Sequence, residues 1–582
     1  MSTMRMKTLL ALLLIGSISS TAIAAPRTRH KSTPKAKTPA VAVSASHARV
    51  VIRGSARDGE DETWRRQKDS ELSLDERTAK KIEEMLRTGP LRYGTTALYV
   101  VDAVTGQELF AVHPDDPLNP ASNVKLISTA TALDVLGADF RYRTRLLGPT
   151  PEQDGTVDGD LYLLGSYDPT LDADGVHDLA AALAARGVHA IKGGIVVGKD
   201  DDREGMIRGK IQISVDATTP GKPPTISITP LTPFAIVTND VTTSKRKKSA
   251  MKVTDGASTD AKGHARWSVH LTGTIGRGRS ATYTIWPDPR GELTASLLVS
   301  DLAKAGITVG GEVRVDDLSD YATEAGTKGW LPVELAAHES EPLAAIVAQV
   351  NKRSINWLAD RIVMTAGAAK FGAAPSMSRA LDAMYDWLHA HASIDRASLY
   401  VDTGSGLSHK TTFSARQIVN VLRAASGLAD AATAPAAGDA HAQACHAAYL
   451  ASLSVGGVDG TLRGRFHGTL RGKLHAKTGT LNGAIALSGF LDVAPGHTLA
   501  FALVTNGNPS GSHKQVRAAH ERLVTILADY ATSLAASDPK PAAAPVIDTP
   551  VITPSSTPAP DLGDDSSEDS DDPAAVIPGG PP

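Results

Sequence analysis

The chain has 582 residues and a formal net charge of −3 at pH 7, and aromatic residues make up 4% of it. This length exceeds what one hydrophobic core normally holds, so we expect two or three folded units. The balanced charge and the scarcity of aromatic residues exclude nucleic-acid binding as the function of the whole chain. The single cysteine, Cys445, excludes an intrachain disulfide, and its alanine-rich surroundings predict a buried thiol on a helix. The histidines lack zinc spacing, so we expect no metal and no cofactor.

The first 24 residues have the composition of a secretory signal peptide. Basic residues (Arg5 and Lys7) precede an apolar stretch over residues 9–15, and a small-residue cleavage site follows at residues 22–24. No later segment approaches the roughly 20 apolar residues that a transmembrane helix needs. We therefore expect residues 1–24 to be removed and the mature protein to be exported, to the periplasm or elsewhere in the cell envelope.

Two low-complexity tails flank the foldable part of the chain. In residues 25–70, Lys and Arg outnumber Asp and Glu; Pro, Ser and Ala are frequent, and apolar periodicity is lacking. This composition predicts an unfolded basic arm. Residues 536–582 hold nine acidic residues against one lysine and contain many prolines, which predicts a disordered acidic tail. The sequence does not indicate what either tail binds or which oligomer forms.

The predicted elements begin with a helix over "LSLDERTAKKIEEMLRTG". Two strands follow, "TTALYVVDAVTGQELFAVHP", joined by a turn at Thr105-Gly106. A further helix is predicted to open after Pro117 and Pro120, because proline is tolerated before a helix or in its first turn.

The predicted secondary structure then changes from helical to mainly β. Residues 146–325 carry short β patterns separated by Gly, Asp and Pro. Helical patterns return from about residue 338, two strands follow near the end, and a long helix closes the foldable region. We therefore expect one domain, formed by residues 71–145 and 326–535, that is interrupted by one or two β-rich inserted units over residues 146–325.

The segment "NPASNVKLISTATALDVLG" places Ser122 and Lys125 three residues apart at the start of a helix. That spacing puts both side chains on one face, and the helix N-terminus favours a negatively charged oxygen. Burial can lower the pKa of a lysine enough for it to act as a base toward a serine nucleophile. The chain holds five Ser-x-x-Lys motifs, but only the one at Ser122 leads an apolar helix. A helix cap remains the alternative for Ser122.

Two further motifs occur once each. Ser354-Ile355-Asn356 is the only Ser-x-Asn, and its spacing lets a hydroxyl and an amide act on the same side of an extended or turn segment. Lys477-Thr478-Gly479, followed by Thr480, is the only Lys-Thr-Gly, and it lies in a predicted strand. The lysine offers positive charge, the threonine a hydroxyl, and the glycine a backbone without a side chain along which a substrate can lie.

These three motifs, in this order, resemble the signature of the serine penicillin-binding proteins and serine β-lactamases. The segments "GDLYLLGSYDPTL", "VDTGSGLS", "GGVDGTLRGRF" and "LHAKTGTLNGAIALSGFL" extend the resemblance to the D-alanyl-D-alanine carboxypeptidases/endopeptidases of low-molecular-mass class C, over about residues 75–535. The resemblance implies an α/β (α+β) transpeptidase fold, with an antiparallel sheet flanked by helices, that is interrupted by the β-rich insertion.

The same resemblance implies roles for individual residues. Ser122 would attack a D-Ala-D-X peptide bond, with Lys125 as its base. Ser354 would pass a proton to the leaving amine, and Asn356 would hold the substrate amide. The residues of the third motif would bind the substrate and tune the electrostatics: Lys477, Thr478, Gly479 and Thr480.

The substrates implied by the resemblance are peptidoglycan stem peptides, and β-lactams would be covalent inhibitors. Backbone N–H groups of Ser122 and Thr480 would receive the oxyanion. The sequence departs from the group at Ile355, where an aspartate is common, and at "GKDDDREG", where the group often carries Asp-x-Ser/Thr. A third departure is Ala359-Asp360, where the group often has an Ala-Glu pair. The second departure leaves the preference for wall-peptide side chains open, and the sequence also leaves open the balance of carboxypeptidase and endopeptidase activity.

Two alternatives compete with this interpretation. A serine β-lactamase of class A would need a deacylating glutamate between the second and third motifs, and the chain has no glutamate between Glu341 and Glu521. A non-catalytic cell-wall-binding scaffold with the same fold would leave Ser122 unreactive toward penicillin.

Overall fold

The computed structural model describes residues 50–51, 68–206, 209–318, 332–428, 439–494, 496–509 and 511–537. The predicted signal peptide, nearly all of the predicted basic arm and almost the whole acidic tail lie outside these residues. Within the described ranges, no helix has both the length and the hydropathy needed to cross a bilayer.

The strands of the described residues are, in chain order, β1 (Val50–Val51), β2 (Thr95–Asp102), β3 (Glu108–Val112), β4 (Arg143–Gly148), β5 (Thr156–Val157), β6 (Leu161–Leu164), β7 (Ala190–Ile191), β8 (Ile195–Gly198), β9 (Ile211–Asp216), β10 (Thr225–Thr229), β11 (Ala235–Ser244), β12 (Ala250–Thr259), β13 (Ala265–Gly276), β14 (Ser280–Ile285), β15 (Thr308–Val309), β16 (Val313–Asp316), β17 (Val333–Glu339), β18 (Ser454–Val455), β19 (Leu474–Leu481), β20 (Ala484–Leu491) and β21 (Leu499–Asn506).

The α-helices of the described residues are α1 (Leu74–Arg87), α2 (Lys125–Leu136), α3 (Ala173–Ala185), α4 (Asp201–Glu204), α5 (Arg290–Lys304), α6 (Leu343–Arg353), α7 (Asn356–Phe371), α8 (Met377–Ala392), α9 (Ala415–Ala425), α10 (Ala440–Ser452) and α11 (His513–Ser537). Short 3₁₀ helices cover Asp69–Glu71, Gly89–Tyr93, Ala121–Val124, Arg396–Ser398, Gly460–Leu462 and Gly468–Leu470.

A seven-stranded sheet forms the centre of the fold, with the order β1-β3-β2-β21-β20-β19-β18. Its pairs are antiparallel except β1 with β3. The predicted pair of strands at β2 and β3 is confirmed, and Gly106 in the turn has a positive φ of 72°. Val50 and Val51 of β1 fall within the predicted unfolded arm and pair with Phe110 and Ala111; the extent of the arm stays a prediction.

Each face of this sheet packs against helices. Because side chains alternate along a strand, Ala97, Tyr99 and Val101 of β2 join one core and Leu98 and Val100 join the other. The first core includes residues of α2 and α6 to α10, and the second includes residues of α1 and α11. The sheet is therefore the middle of three layers, as the resemblance implied.

The helix α1 shows how local chemistry sets an element boundary. The hydroxyl of Ser73 accepts the N–H of Glu76 at 3.2 Å, and the Glu76 carboxylate accepts the N–H of Ser73 at 2.7 Å. This reciprocal capping satisfies two backbone donors that the first turn leaves without partners.

A β-rich unit lies between the two halves of this three-layer body in the sequence. Its sheets have the orders β16-β8-β6-β4-β17, β15-β7-β5, β10-β9-β14 and β11-β13-β12, and they enclose a separate hydrophobic core together with α3 and α5. Since β4 and β17 pair with each other, we propose that the insertion runs from Arg143 to Glu339. These bounds are slightly wider than the sequence-based range of 146–325.

The inserted unit contacts the helical layer beside α7. Asp202 of α4 accepts hydrogen bonds from Arg290 of α5 at 2.7 Å and from Arg361 of α7 at 2.9 Å. Just before the insertion begins, the hydroxyl of Tyr142 lies 3.0 Å from that of Thr365, also on α7. The segment "GKDDDREG", which differs from the pattern of the group, therefore includes a short helix that is hydrogen-bonded to α7.

Candidate active site

Ser122 lies in the 3₁₀ turn Ala121–Val124 that leads directly into α2. The turn is capped by Pro120, with no side-chain capping bond, so Ser122 is not the helix cap that the sequence left open. Ala121 has a φ of +46°, a strained value for a residue with a side chain. Ser122 is 3% exposed and Lys125 is fully buried.

The segment before the turn is held by an amide clamp. The backbone N–H of Asn119 donates to Asn506 Oδ1 at 2.7 Å, and Asn506 Nδ2 donates to the Asn119 carbonyl at 3.0 Å. The N–H of Ala121 donates to Asn119 Oδ1 at 2.8 Å. These contacts fix the strained turn to the end of β21, and fixed surroundings are what a strained backbone requires.

The amine of Lys125 connects the first two motifs. Its Nζ donates to Ser122 Oγ at 3.0 Å, to Asn356 Oδ1 at 2.6 Å and to the Ser405 carbonyl at 2.8 Å. All of these groups are buried. The i, i+3 pair predicted on one helix face is thus in direct contact, and a residue 231 positions downstream of Lys125 completes it.

The second motif forms a turn between two helices. Ser354 ends α6 in the left-handed conformation, with φ 58° and ψ 34°, and Asn356 is the first residue of α7. A left-handed conformation costs a serine about 1 kcal/mol or more, so the surrounding contacts must hold it. The turn aims the two side chains at two lysines: Asn356 at Lys125 and Ser354 at Lys477.

Lys477 lies in the middle of β19 and is fully buried. Its Nζ donates to Ser354 Oγ at 2.8 Å and to the Thr478 carbonyl at 2.8 Å. Neighbouring Ala476 joins the core on the α11 side of the sheet, so the alternation of the strand directs Lys477 to the opposite side, toward Ser354.

At Gly479, β19 approaches the 3₁₀ turn Ala121–Val124 and the Pro120 before it. We call this segment the nucleophile turn, because the resemblance implies that Ser122 is the nucleophile. A Cβ on Gly479 would lie 2.6 Å from the Pro120 carbonyl oxygen and 3.2 Å from the Ala121 Cβ. A side chain at position 479 is thus disfavoured because the strand approaches the residues just before Ser122 closely. The sequence did not indicate this explanation for the glycine. The sequence-based reason, room for a substrate strand, stays a prediction.

The outer edge of β19 is largely uncovered by strands within the described residues. Its neighbour β18 pairs only with His475 and Ala476. Beyond that pair, the Thr478 hydroxyl donates to Thr461 Oγ1 at 2.9 Å, and Arg517 Nη2 of α11 donates to Thr480 Oγ1 at 3.2 Å. Three threonine hydroxyls and a guanidinium therefore lie along this part of the strand.

Sequence reasoning assigned no role to several residues that the fold brings here. Ser405 supplies a carbonyl to Lys125, Asn123 donates to Ser488 Oγ at 2.8 Å, and Thr461 and Arg517 contact the third motif. Ser405 and Thr461 belong to "VDTGSGLS" and "GGVDGTLRGRF", two of the segments that carried the family resemblance. The family resemblance of those segments was the only indication in the sequence that they lie near the site. Their spacing did not indicate which residues they contact.

The three motifs are thus brought into one site, and its chemistry is that of acyl transfer. A serine hydroxyl contacts an amine, a second hydroxyl contacts a second amine, and the Asn356 amide oxygen accepts from the first amine. Across the described ranges, no group of His, Cys, Asp and Glu side chains is arranged to hold a metal ion. The contact of Lys125 with Ser122 places an amine within hydrogen-bond reach of a hydroxyl, which is the arrangement that serine acyl transfer needs.

Comparisons with known proteins agree with this site. The family model of the D-Ala-D-Ala carboxypeptidase 3 (S13) family matches residues 78–202 and 205–530. A D-alanyl-D-alanine carboxypeptidase of Actinomadura sp. (strain R39) is 29% identical over 77% of this chain and 84% of its own length. A carboxypeptidase of Mycobacterium tuberculosis is 28% identical over 72% of this chain and 78% of its own length.

A solved structure shows the same fold. Penicillin binding protein 4 from Haemophilus influenzae, crystallised with a β-lactam, has a TM-score of 0.56 and 20% identity, covering 78% of this chain and 99% of that one. The predicted fold class and the predicted resemblance are both confirmed. The family match spans every motif of the site, and the chain therefore belongs to the D-Ala-D-Ala carboxypeptidase 3 (S13) family and is a serine-type D-Ala-D-Ala carboxypeptidase.

Proposed function

We propose that the protein cleaves D-Ala-D-X bonds of peptidoglycan stem peptides through an acyl-enzyme on Ser122. The observation that carries this assignment is the buried contact of Lys125 Nζ with Ser122 Oγ at 3.0 Å, closed by Asn356 at 2.6 Å. A base within hydrogen-bond reach of a hydroxyl is the first requirement of nucleophilic catalysis by serine.

In the acylation step, Ser122 Oγ attacks the carbonyl carbon while its proton passes to Lys125. Backbone N–H groups of Ser122 and Thr480 would receive the charge that develops on the carbonyl oxygen. The C–N bond then breaks, and the proton held by Lys125 passes to the leaving amine through Ser354, whose Oγ accepts a hydrogen bond from Lys477. In the second step water attacks the ester and gives up a proton to Lys125, which returns it to Ser122 Oγ as the shortened peptide leaves.

Substrate binding is assigned to the open edge of β19. An extended peptide can add to this edge by main-chain hydrogen bonds, because β18 covers only its first part. The Thr478 and Thr480 hydroxyls, with the Arg517 guanidinium beside Thr480, would bind the terminal carboxylate. Asn356 would hold the amide of the substrate while it also contacts Lys125.

β-Lactams are proposed to acylate Ser122 as covalent inhibitors, in line with the β-lactam complex of the penicillin binding protein from Haemophilus influenzae. The signal-like residues 1–24 support export to the periplasm or cell envelope, where the wall substrate lies. The class A β-lactamase alternative lacks support from the residues between the second and third motifs, where the chain has no glutamate.

The test is digestion of purified muropeptides by the mature protein and by Ser122→Ala. Mass spectrometry should find free D-alanine and opened crosslinks with the wild type and neither product with the variant. Fluorescent penicillin should label the wild type and leave a long-lived adduct, whereas rapid antibiotic turnover would indicate a β-lactamase. Unreduced product release by Ser122→Ala would exclude Ser122 as the nucleophile, and no labelling and no digestion by the wild type would favour a scaffold.

A further inference from the structure

Lys125 is contacted by a loop that none of the three motifs includes. We call residues 402–406, of sequence Asp-Thr-Gly-Ser-Gly, the strap, because this segment lies across the start of α2. The Ser405 carbonyl accepts from Lys125 Nζ at 2.8 Å, and the Gly404 carbonyl accepts from Ser128 Oγ at 2.6 Å. Two successive carbonyls of the strap are thus held by side chains one turn apart on α2.

The strap also packs on the nucleophile turn. Gly406 has a φ of 80°, and a Cβ on it would lie 2.1 Å from the Ala121 carbonyl oxygen. Its N–H donates to Thr403 Oγ1 at 3.1 Å, which closes the strap on itself. Any shift of the strap would therefore change both the surroundings of Lys125 and the turn that carries Ser122.

Behind the strap lies a carboxylate. Asp360 of α7 is one turn beyond Asn356 and lies against the strap. The charge of Lys125, the Ser405 hydroxyl and the N–H groups of Gly404 and Ser405 all act to lower the pKa of its carboxyl. The contact with the strap is close, since a Cβ on Gly404 would be 3.0 Å from Asp360 Oδ1 and 3.3 Å from its Cα. Within the described residues, the buried Oδ1 accepts no hydrogen bond.

We propose that Asp360 is a positioning residue for the base, acting through the strap and through its charge on Lys125. This inference rests on the assignment of Lys125 as the base of the proposed function. When Ser122 attacks, its O–H bond breaks, a new N–H bond forms on Lys125, and the Oγ electron pair forms the bond to the substrate carbon. The ammonium that results is buried, and a carboxylate nearby offsets the cost of that charge.

The electrostatic setting supports this role. Burial raises the pKa of the Asp360 carboxyl above its ordinary value, and the charge of Lys125 is the largest of the influences that oppose the rise. Several other charged groups on the elements around Lys125 have partners of their own. Lys477 contacts Ser354, Lys352 contacts Asp459, Asp402 contacts Ser408 and Thr411, Asp386 contacts Lys370, Arg361 contacts Asp202, and Arg423 contacts the Ala103 carbonyl.

The test compares Asp360→Asn with Ser128→Ala. The first variant removes a charge at constant size, whereas the second removes the other anchor of the strap without changing any charge. The rate of D-alanine release and the rate of labelling by fluorescent penicillin are measured against pH, and thermal unfolding is used to check that each variant folds.

We expect both variants to lower the plateau of kcat/KM by about tenfold or more, because small displacements of a base are costly. Only Asp360→Asn should also move the acid limb of the profile, by about one pH unit or more toward lower pH, because loss of a nearby negative charge makes Lys125 easier to deprotonate. Asp360→Glu keeps the charge and should leave the limb near that of the wild type.

If the acid limb of the pH profile of Asp360→Asn coincides with that of the wild type, the electrostatic part of the proposal is overturned. If the plateau of kcat/KM of Ser128→Ala equals that of the wild type, the role of the strap is overturned. The Ser128→Ala measurement tests the role of the strap even if Asp360→Asn does not fold. Failure of the proposed function has a different signature, which is activity that persists in Ser122→Ala.

Discussion

Replacing Gly479 with alanine tests whether the close approach of β19 to the nucleophile turn sets the rate of acylation. The added Cβ would lie 2.6 Å from the Pro120 carbonyl oxygen, and contacts below 3.0 Å are essentially never seen, so strand and turn must separate by at least 0.4 Å. A displacement of about 1 Å at a catalytic centre can cost about 10²-fold, so we expect a loss of about tenfold in kcat/KM, or about 1.4 kcal/mol in the barrier.

The matched control is Gly464→Ala. This glycine lies in the neighbouring "RGRF" segment, its φ is not in the left-handed region, and a Cβ on it would meet no atom within 4 Å. Release of D-alanine from muropeptides and acylation by fluorescent penicillin are measured for both variants, together with their thermal midpoints. If Gly479→Ala matches Gly464→Ala in kcat/KM, the contact between strand and turn does not position the nucleophile.

Three further predictions follow from other parts of the structure. Lys125→Met should lower D-alanine release by about 10³-fold or more while the variant stays folded by near-ultraviolet circular dichroism, because it removes the base but keeps the apolar stem; activity within tenfold of the wild type would contradict this. Burial lowers the pKa of His520 from 6.5 to about 3, so its neutral ring favours the folded state above about pH 6.5, and up to about 5 kcal/mol of stability is lost as the pH falls from 6.5 to 3. Urea unfolding at neutral and acidic pH should therefore show a weaker pH dependence for His520→Phe, and equal slopes would refute the assignment. Burial also raises the pKa of the Cys445 thiol, so iodoacetamide should label it slowly in the folded protein and fully in urea, and Cys445→Ala should keep D-alanine release; rapid labelling of the native protein would show that the thiol is exposed.

The sequence was enough to predict the helices and strands that carry the three motifs. The apolar helix after Pro120, the helical texture around Ser354 and the strand through Lys477 all follow from local periodicity, and the structure confirms them as α2, α6 with α7, and β19. The Ser-x-Asn spacing predicted an extended or turn segment at Ser354, and local pattern did not predict that its serine would be left-handed between two helices. A left-handed serine is held by tertiary contacts, which periodicity does not reveal.

Apart from the pair Ser122 and Lys125, the tertiary structure decided which groups meet at the site. Spacing along a helix brings Ser122 and Lys125 together, because three residues are nearly one turn. No local rule brings Ser405 or Asp360 toward Lys125, since both placements depend on how α7 and the strap pack on α2. The sequence thus determined the Ser122–Lys125 pair and the family of the chain, whereas the packing of distant segments determined the buried surroundings of Lys125 on which its proposed role as a base depends.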